Sequence, residues 1–120
     1  IIETTMSGKY FERIIRYAKN EKYEVIVIYI FLENPKICIE RVKNRLLKGG
    51  HYVPEIDIIR RFYRSLNLFY TKYRYLSDIC YLINNTDDDF EQVAIFQNKK
   101  VNIINENVFN KFLEVVNERD

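Results

Sequence analysis

The chain has 120 residues, of which 48% are apolar and 15% aromatic, so it can bury a core and does not belong to the wholly disordered class. Nineteen Lys and Arg against seventeen Asp and Glu leave a net charge of only +2, too small to drive non-specific binding to the phosphates of nucleic acids. Any phosphate chemistry must therefore come from a local cluster of cations.

The cysteines and the apolar segments predict the cellular location of the protein. Cys38 and Cys80 lie in apolar periodic segments without CxxC or CxH spacing, which favours reduced core thiols over a disulfide or a metal pair. We therefore expect a reducing, cytoplasmic setting. The longest apolar run, residues 25–32, is too short to span a bilayer, and no basic segment precedes an apolar stretch at the start. We expect neither membrane insertion nor secretion.

The first thirty residues predict a strand end, a helix and a strand. Residues 1–3 resemble the end of a strand and include no initiator Met, so we interpret the chain as a piece of a longer protein. Apolar residues between positions 10 and 18 recur at helical spacing, and Asn20 ends this helix. Residues 25–32 are continuously apolar and β-branched, which is typical of a strand covered on both faces. We predict that this strand is the central strand of a parallel sheet.

Two helices follow, separated by a glycine-rich loop. The Asn-Pro pair at 34–35 supplies an N-cap and a first helical residue, so a helix should run to about Leu47 and stop at the glycines 49–50. Pro54, as the first helical residue, should begin a second, long helix that reaches about Leu76. We expect the glycine pair to act as a hinge.

The rest of the chain predicts a mixture of strands and one helix. Residues 79–83 form a short apolar strand that ends in the turn-rich segment 84–89. Residues 93–96 and 101–104 resemble the two strands of a hairpin, and apolar spacing at 108–116 predicts a last helix. Residues 1–120 therefore read as a single α/β domain with alternating strands and helices.

A cluster of cations occupies the two helices around the glycine loop. Two rows of arginines, one on each helix, should face each other, and a bound anion would relieve their mutual repulsion. Guanidinium groups suit phosphate because they stay charged and donate paired hydrogen bonds to its oxygens. We name residues 41–64 the arginine lid; its candidate phosphate-binding side chains are Arg41, Arg45, His51, Arg60, Arg61 and Arg64.

Each of these features also has a simpler interpretation. Arginines on helices often form no more than a solvated face, and a single histidine such as His51 is as often a surface or capping residue as a functional one. Glu3 and Thr5 would lie at the carboxyl edge of a parallel strand, where they could orient an acceptor hydroxyl, or they could belong to an N-cap cluster. Asn85 could contact a nucleotide base, although a turn at 84–86 is the simpler interpretation.

Several other kinds of site are excluded by their missing motifs. The sequence contains no GxxxxGK[ST], GxGxxG or GxSxG motif. One histidine and two scattered cysteines cannot build a usual zinc site, so we predict no metal-ligating residues.

Taken in order, the motifs resemble those of a known family. The segments that carry the resemblance are residues 2–8 (IETTMSG), the strand at 25–32, and residues 41–45 (RVKNR), 49–54 (GGHYVP), 60–65 (RRFYRS) and 84–86 (NNT). They resemble the motifs of the zeta-toxin-like P-loop kinases. The likeness is closest to a small bacterial branch of predicted ATPases, with the pattern R-V-x-x-R, G-G-H-x-V-P and R-R-Y-x-R-S. It extends over nearly all of residues 1–97.

The resemblance implies a P-loop NTPase fold of the nucleotide-kinase type, with a parallel sheet, flanking helices and a helical arginine lid. It also implies phosphoryl transfer from ATP with Mg²⁺ to a hydroxyl of a small acceptor, in zeta toxins a UDP-linked amino sugar, and an antitoxin protein as a partner. The family's phosphate-loop lysine, its magnesium-binding Ser or Thr and its catalytic aspartate would belong upstream of Ile1.

The resemblance also implies roles for individual residues. Glu3 and Thr5 would face the acceptor, and the catalytic side chains would be Arg45, Arg60 and Arg64. The residues that would bind ATP are Arg41, Arg45, His51, Arg60, Arg61, Arg64 and Asn85.

Two alternatives belong to other classes of protein. The chain could be a non-catalytic remnant or binding module that uses the arginine lid for an anionic ligand or a protein partner. It could also bind RNA, but most tyrosines fall on the apolar stripe of a helix, whereas a stacking surface needs them outward. Without an upstream phosphate loop, this chain alone should bind ATP weakly and should not catalyse transfer.

Overall fold

The computed structural model of the protein describes residues 2, 4, 6, 8–87 and 89–118, and these form an α/β fold around a mixed sheet. The described strands, in spatial order, are β1 (Ile26–Phe31), β2 (Ile79–Asn84), β3 (Glu91–Gln97) and β4 (Lys100–Ile103). β1 and β2 are parallel, whereas β3 is antiparallel to both β2 and β4. The predicted α/β class and the predicted hairpin are confirmed, but the sheet is mixed rather than parallel.

The described helices agree closely with the predicted ones. They are α1 (Tyr10–Asn20), α2 (Pro35–Leu47), α3 (Glu55–Leu68), a π-helical turn (Phe69–Tyr73), α4 (Arg74–Leu76) and α5 (Glu106–Asn117). α3, the π-helical turn and α4 follow one another without a break, so they form the single long helix that was predicted to end near Leu76. The π-helical turn itself was not predicted.

Local capping explains where the helices begin. The side chain of Asn34 accepts a hydrogen bond of 2.8 Å from the backbone N–H of Lys36, and Asn105 caps α5 in the same way through Val108. Pro54 was predicted to be the first helical residue, but it occupies the N-cap position of α3 with an extended ψ of 141°. Helix α3 therefore begins at Glu55.

The core lies between one face of the sheet and the helices. Val27, Tyr29 and Phe31 point from β1 into this core, where they meet residues of α3, the π-helical turn and α5. Phe69 and Phe112 are fully buried at its centre. The two cysteines are reduced thiols, as predicted; Cys80 is buried and Cys38 is half-buried.

The prediction that the strand at 25–32 is central and covered on both faces is wrong. β1 is an edge strand of the described sheet, and alternate residues along it are exposed. Ile26, Ile28 and Ile30 are 51%, 63% and 51% exposed because the described helices pack on the opposite face. The apolar run thus has one buried face and one open face.

Helix α1 packs its buried Ile15 into the core, and ion pairs and hydrogen bonds at its edges add to this attachment. Asp78 accepts hydrogen bonds from the backbone N–H of Val25 at 2.7 Å and from the ammonium of Lys19 at 2.9 Å. Glu12 of α1 accepts a hydrogen bond of 2.8 Å from Lys72 in the π-helical turn. In the part of the chain that the structure describes, no helix is long and apolar enough to cross a membrane.

Candidate anion-binding site

The loop between α2 and α3 contains the two glycines and packs against the C-terminal end of α2. Gly49 lies in the left-handed region with φ at +94°, a conformation that glycine adopts without strain. The N–H of Gly50 donates a hydrogen bond of 2.7 Å to the carbonyl of Arg45, and a Cβ at Gly50 would lie 2.8 Å from the same oxygen. The predicted hinge is therefore folded against the last turn of α2.

Lys43 and Glu55 tie the two helices together beyond this loop. The Lys43 ammonium lies 3.1 Å from a carboxylate oxygen of Glu55, and both side chains are exposed. An exposed ion pair of this kind adds little to stability. The pair marks the faces of α2 and α3 that lie next to each other.

The two helices and the end of β1 line a cavity of about 320 Å³ that is open to solvent. Most of its wall is apolar, and the charged side chains among its described lining residues are Arg45 of α2 and Arg61 of α3. The other lining residues are Tyr29, Ile30, Phe31, Leu32, Cys38, Val42, Val53, Ile58, Phe62, Ser65 and Leu66. We call this space the lid cavity.

A buried hydrogen bond lies in the wall of the lid cavity. The hydroxyls of Tyr29 and Ser65 are 2.9 Å apart, and the Tyr29 ring stacks on Phe69 with 4.4 Å between ring centroids. Burial raises the pKa of Tyr29 well above its ordinary value, and the hydrogen bond with Ser65 opposes this only in part. The tyrosine is therefore a neutral polar group.

Cys38 is a second polar group in the wall of the lid cavity. Burial raises the pKa of its thiol, and the positive charges of Arg41 and Arg45 act in the opposite direction but do not overcome burial. The thiol is therefore protonated at neutral pH and is a poor nucleophile. We therefore expect Cys38 to shape the lid cavity and to add a weakly polar group to its wall.

Arg41 belongs to a different part of the structure. Its guanidinium donates a hydrogen bond of 2.7 Å to the backbone carbonyl of Asn85, just after β2. The Asn85 N–H in turn donates to the carbonyl of Phe31 at the end of β1. Arg41 thus fixes α2 to the carboxyl ends of the two parallel strands.

The Asn-Asn-Thr segment at 84–86 forms a hydrogen-bonded corner. Thr86 donates from its hydroxyl to the side-chain oxygen of Asn84 at 2.6 Å, and it accepts a bond of 3.1 Å from the N–H of Glu33. Asn84 is buried and Asn85 is half-buried. These contacts are those of a turn, the simpler of the two interpretations of this segment.

The other candidate phosphate-binding residues of the arginine lid are not among the lining residues of the lid cavity. Arg60 is exposed and pairs with Asp57 at 3.2 Å. Arg64 is exposed one turn further along α3, where its charge slightly lowers the pKa of Tyr73, a pKa that burial raises overall. His51 is exposed in the loop. The structure therefore places Arg45 and Arg61 in the wall of one cavity, whereas Arg60, Arg64 and His51 do not line it.

Glu3 and Thr5, the predicted acceptor-side residues, lie outside the described residues. Their described neighbours Met6 and Gly8 contact the rest of the fold: Met6 is buried, and the carbonyl of Gly8 accepts a hydrogen bond of 3.0 Å from the Tyr73 hydroxyl. No group of three or more His, Cys, Asp or Glu that could hold a metal ion occurs among the described residues.

Sequence reasoning missed the polar wall of the lid cavity. Tyr29 was counted only as part of an apolar strand, and Ser65 only as part of a motif. Their contact joins residues 36 positions apart in the chain, so no local pattern could have revealed it.

Comparison with protein-family models, with curated proteins and with solved structures finds no match for this chain. The fold and the lid cavity therefore define the class of protein only as an α/β domain with a cationic, largely apolar cavity. The kinase resemblance stays a prediction.

Proposed function

We propose that the chain is the lid-bearing part of an ATP-dependent phosphotransferase in which Arg45 and Arg61 bind the phosphates of ATP. The pairing of these two arginines at one cavity carries the proposal, because they come from different helices and converge beside the end of β1. Ligands of α/β proteins commonly bind beyond the carboxyl ends of parallel strands. Two guanidinium groups there suit a polyphosphate.

The arginines would act by stabilising charge. As the γ-phosphoryl group is transferred, negative charge builds up on its oxygens and on the leaving group, and fixed guanidinium donors favour that charge distribution. Arg45 and Arg61 are exposed, so a bound nucleotide that covers the lid cavity would have to displace water from them before this interaction is strengthened. Arg41 would position α2 through its bond to Asn85, whereas Arg60 and Arg64 would add positive potential around the cavity.

The described residues fit the nucleotide better than they fit its metal. Mg²⁺ is usually held by one or two carboxylates together with phosphate oxygens, and no Asp or Glu occurs among the described lining residues of the lid cavity. Charge neutralisation would come from Mg²⁺ bound to the phosphates of ATP. The printed sequence contains no GxxxxGK[ST], so a phosphate loop from a longer polypeptide is required for transfer.

The acceptor side of the proposal rests on the resemblance. Glu3 and Thr5 would orient a hydroxyl of a small acceptor such as a UDP-linked amino sugar, and an antitoxin protein would be the partner that restrains such an enzyme. Both statements belong to the complete protein rather than to the 120 residues alone.

Titration of Mg-ATP into the chain by calorimetry tests the binding step. Two charge-assisted contacts are lost in the Arg45→Ala/Arg61→Ala variant, so we expect its affinity to fall by about tenfold or more. The matched control is Arg13→Ala/Lys111→Ala, which removes the same charge from exposed positions on α1 and α5. An equal loss in the control would mean non-specific attraction, and no loss in the Arg45/Arg61 variant would contradict the proposal.

A non-catalytic binding module is the second candidate, and the apolar character of the lid cavity favours it. Such a wall suits the body of an amphipathic anion whether or not that anion reacts. Turnover of ATP by a longer protein that supplies the phosphate loop separates the two candidates. If that protein binds Mg-ATP through Arg45 and Arg61 but transfers no phosphate, the binding-module function is correct.

A further inference from the structure

A second pocket lies between the end of the long helix and the tip of the β3–β4 hairpin. We name it the hairpin pocket. Its volume is about 120 Å³, and its lining residues include Arg74 and Tyr75 of α4 with Phe96, Gln97, Lys99 and Lys100 of the hairpin. None of its described lining residues also lines the lid cavity. The function proposed for the lid cavity therefore does not account for it.

The turn of the hairpin brings two lysines to this pocket. Gln97 pairs with Lys100, so Asn98 and Lys99 form a two-residue turn, and their φ angles are 54° and 62°. Positive φ at both positions is typical of the tight turn that matches the twist of two antiparallel strands. Lys99 and Lys100 are exposed, and the turn places both of them in one pocket wall with Arg74.

Arg74 is held by aromatic rings. Its guanidinium carbon lies 4.0 Å from the centroid of the Tyr70 ring and 4.4 Å from that of Tyr75. The guanidinium also donates a hydrogen bond to the Tyr75 hydroxyl, whereas its Nε–H is buried and has no acceptor among the described residues. Aromatic rings contact the faces of a guanidinium group and leave the N–H groups at its edge, which bind anions, incompletely used.

The hairpin pocket has an unbalanced positive charge. Arg74, Lys99 and Lys100 are cations, and no Asp or Glu is among its described lining residues. None of the ion pairs between described residues involves these three side chains. Arg74 lies in the last turn of a helix, where a cation balances the helix dipole, but that dipole amounts to only about half an elementary charge. Most of the positive charge therefore remains to attract an anion from solution.

We infer that the hairpin pocket binds one phosphate group. Its volume of about 120 Å³ equals that of about four water molecules, which agrees with a single phosphate group, whereas pockets for whole drug-sized ligands begin at about 300 Å³. Three cations suit a dianion better than a single carboxylate, and the edge of a guanidinium group matches two phosphate oxygens. The Tyr75 side chain is 58% exposed, so its ring can contact the organic part of a phosphomonoester.

Titration with phenyl phosphate, followed by NMR, tests the inference. The protein carries Arg45→Ala/Arg61→Ala, so that the two lid-cavity arginines do not contribute, and chloride keeps the ionic strength constant. We expect the amide signals of Lys99 and Lys100 and the Nε–H signal of Arg74 to shift together. Phenyl phosphate should bind about tenfold more tightly than benzoate, which has the same ring but one negative charge.

Inorganic phosphate is the second probe, and it identifies the source of the phosphate group. Tighter binding of phenyl phosphate would identify a phosphomonoester as the ligand, because only the ester can contact the Tyr75 ring. Binding of inorganic phosphate at equal or higher affinity would identify the free ion. Both results support a phosphate site in the hairpin pocket.

A glycine substitution removes one charge from the pocket and leaves the turn intact. Lys99→Gly should weaken phenyl phosphate binding by about fivefold without lowering the thermal midpoint, since glycine adopts positive φ more readily than lysine. Lys22→Gly is the matched control, because Lys22 is also exposed, also has a positive φ of 64° and is not among the lining residues of the hairpin pocket. It should change the affinity by less than about twofold.

Arg74→Lys separates charge from shape. Lysine keeps the positive charge but lacks the planar set of donors, so we expect binding to weaken by about tenfold. Circular dichroism checks that each variant is folded.

Any of three results would overturn the inference. Equal losses in Lys22→Gly and Lys99→Gly would mean non-specific attraction, and equal affinities for benzoate and phenyl phosphate would mean stacking on Tyr75 alone. Unchanged affinity in both Lys99→Gly and Arg74→Lys would mean that Arg74 only packs against the aromatic rings. None of these results depends on ATP binding, because the tested protein lacks both lid-cavity arginines.

Discussion

Tyr29 and Ser65 join β1 to α3 through a hydrogen bond between two buried hydroxyls. A buried hydroxyl that loses its partner keeps the cost of its lost hydration, whereas a pair removed together leaves no unsatisfied group. The loss of unfolding free energy in variants of this pair therefore shows whether water can reach the two hydroxyls in the wall of the lid cavity.

A double-mutant cycle on this pair should show strong coupling. We expect Tyr29→Phe and Ser65→Ala each to lower the free energy of unfolding by about 1–3 kcal/mol, because each leaves one buried hydroxyl without its partner. The double variant should lose clearly less than the sum of the two. Urea denaturation measures all four proteins, and strictly additive losses would mean that water already replaces the missing partner.

The arginines show what a residue pattern can and cannot predict. The sequence indicated a cationic pair of helices, and the structure places Arg45 and Arg61 on the same cavity. The sequence could not show that Arg41 bonds to Asn85 or that Arg60 pairs with Asp57. Those contacts depend on the packing of α2 against β2 and on the orientation of individual side chains. Residue spacing predicts the face of a helix but not its contacts.

At the scale of elements, the loop between α2 and α3 holds the lid cavity in shape. Gly50 is packed against the carbonyl of Arg45, so it sets the position of the last turn of α2, which bears one of the two cavity arginines. A side chain at this position must displace backbone, since the nearest atoms belong to the main chain of Arg45.

Gly50→Ala should therefore destabilise the protein by about 1–3 kcal/mol, because its Cβ would lie 2.8 Å from the Arg45 carbonyl oxygen. Thermal and urea unfolding measure this loss. Gly8→Ala is the control, since a Cβ there meets nothing within 4 Å, and it should change stability by less than about 0.5 kcal/mol. Equal effects of the two substitutions would show that the loop is loose rather than packed.

The helices were predictable because their signals are local. Asn34 and Pro35 at the start of α2, and Gly49 after its end, act on backbone groups within one turn of themselves. The open face of β1 was not predictable, since a continuously apolar strand is compatible with one or two covered faces, and only the placement of the helices decides. The π-helical turn gave no signal at all in the spacing of apolar residues.

At the scale of the whole molecule, an aromatic cluster joins the sheet to the helices. Phe112 of α5 contacts Phe31 of β1 at 5.1 Å and Tyr70 of the π-helical turn at 5.9 Å between ring centroids. Phe69 lies 5.7 Å from Phe96 of β3, so the cluster reaches a second strand. Two of the three elements around the lid cavity, β1 and α3, thus depend on this core, because Phe31 and Leu66 belong to it.

Phe112→Ala should lower the free energy of unfolding by about 3–5 kcal/mol, because it removes a fully buried ring and leaves a cavity among its aromatic neighbours. A domain of this size is typically stable by about 5–15 kcal/mol, so this single change would remove a large share of its stability. Phe90→Ala, at a position 70% exposed, is the matched control and should change stability by less than about 0.5 kcal/mol. Chemical denaturation measures both variants. A loss below about 1 kcal/mol for Phe112→Ala would mean that α5 is not part of the cooperative core, and that the sheet and the long helix hold the lid cavity without it.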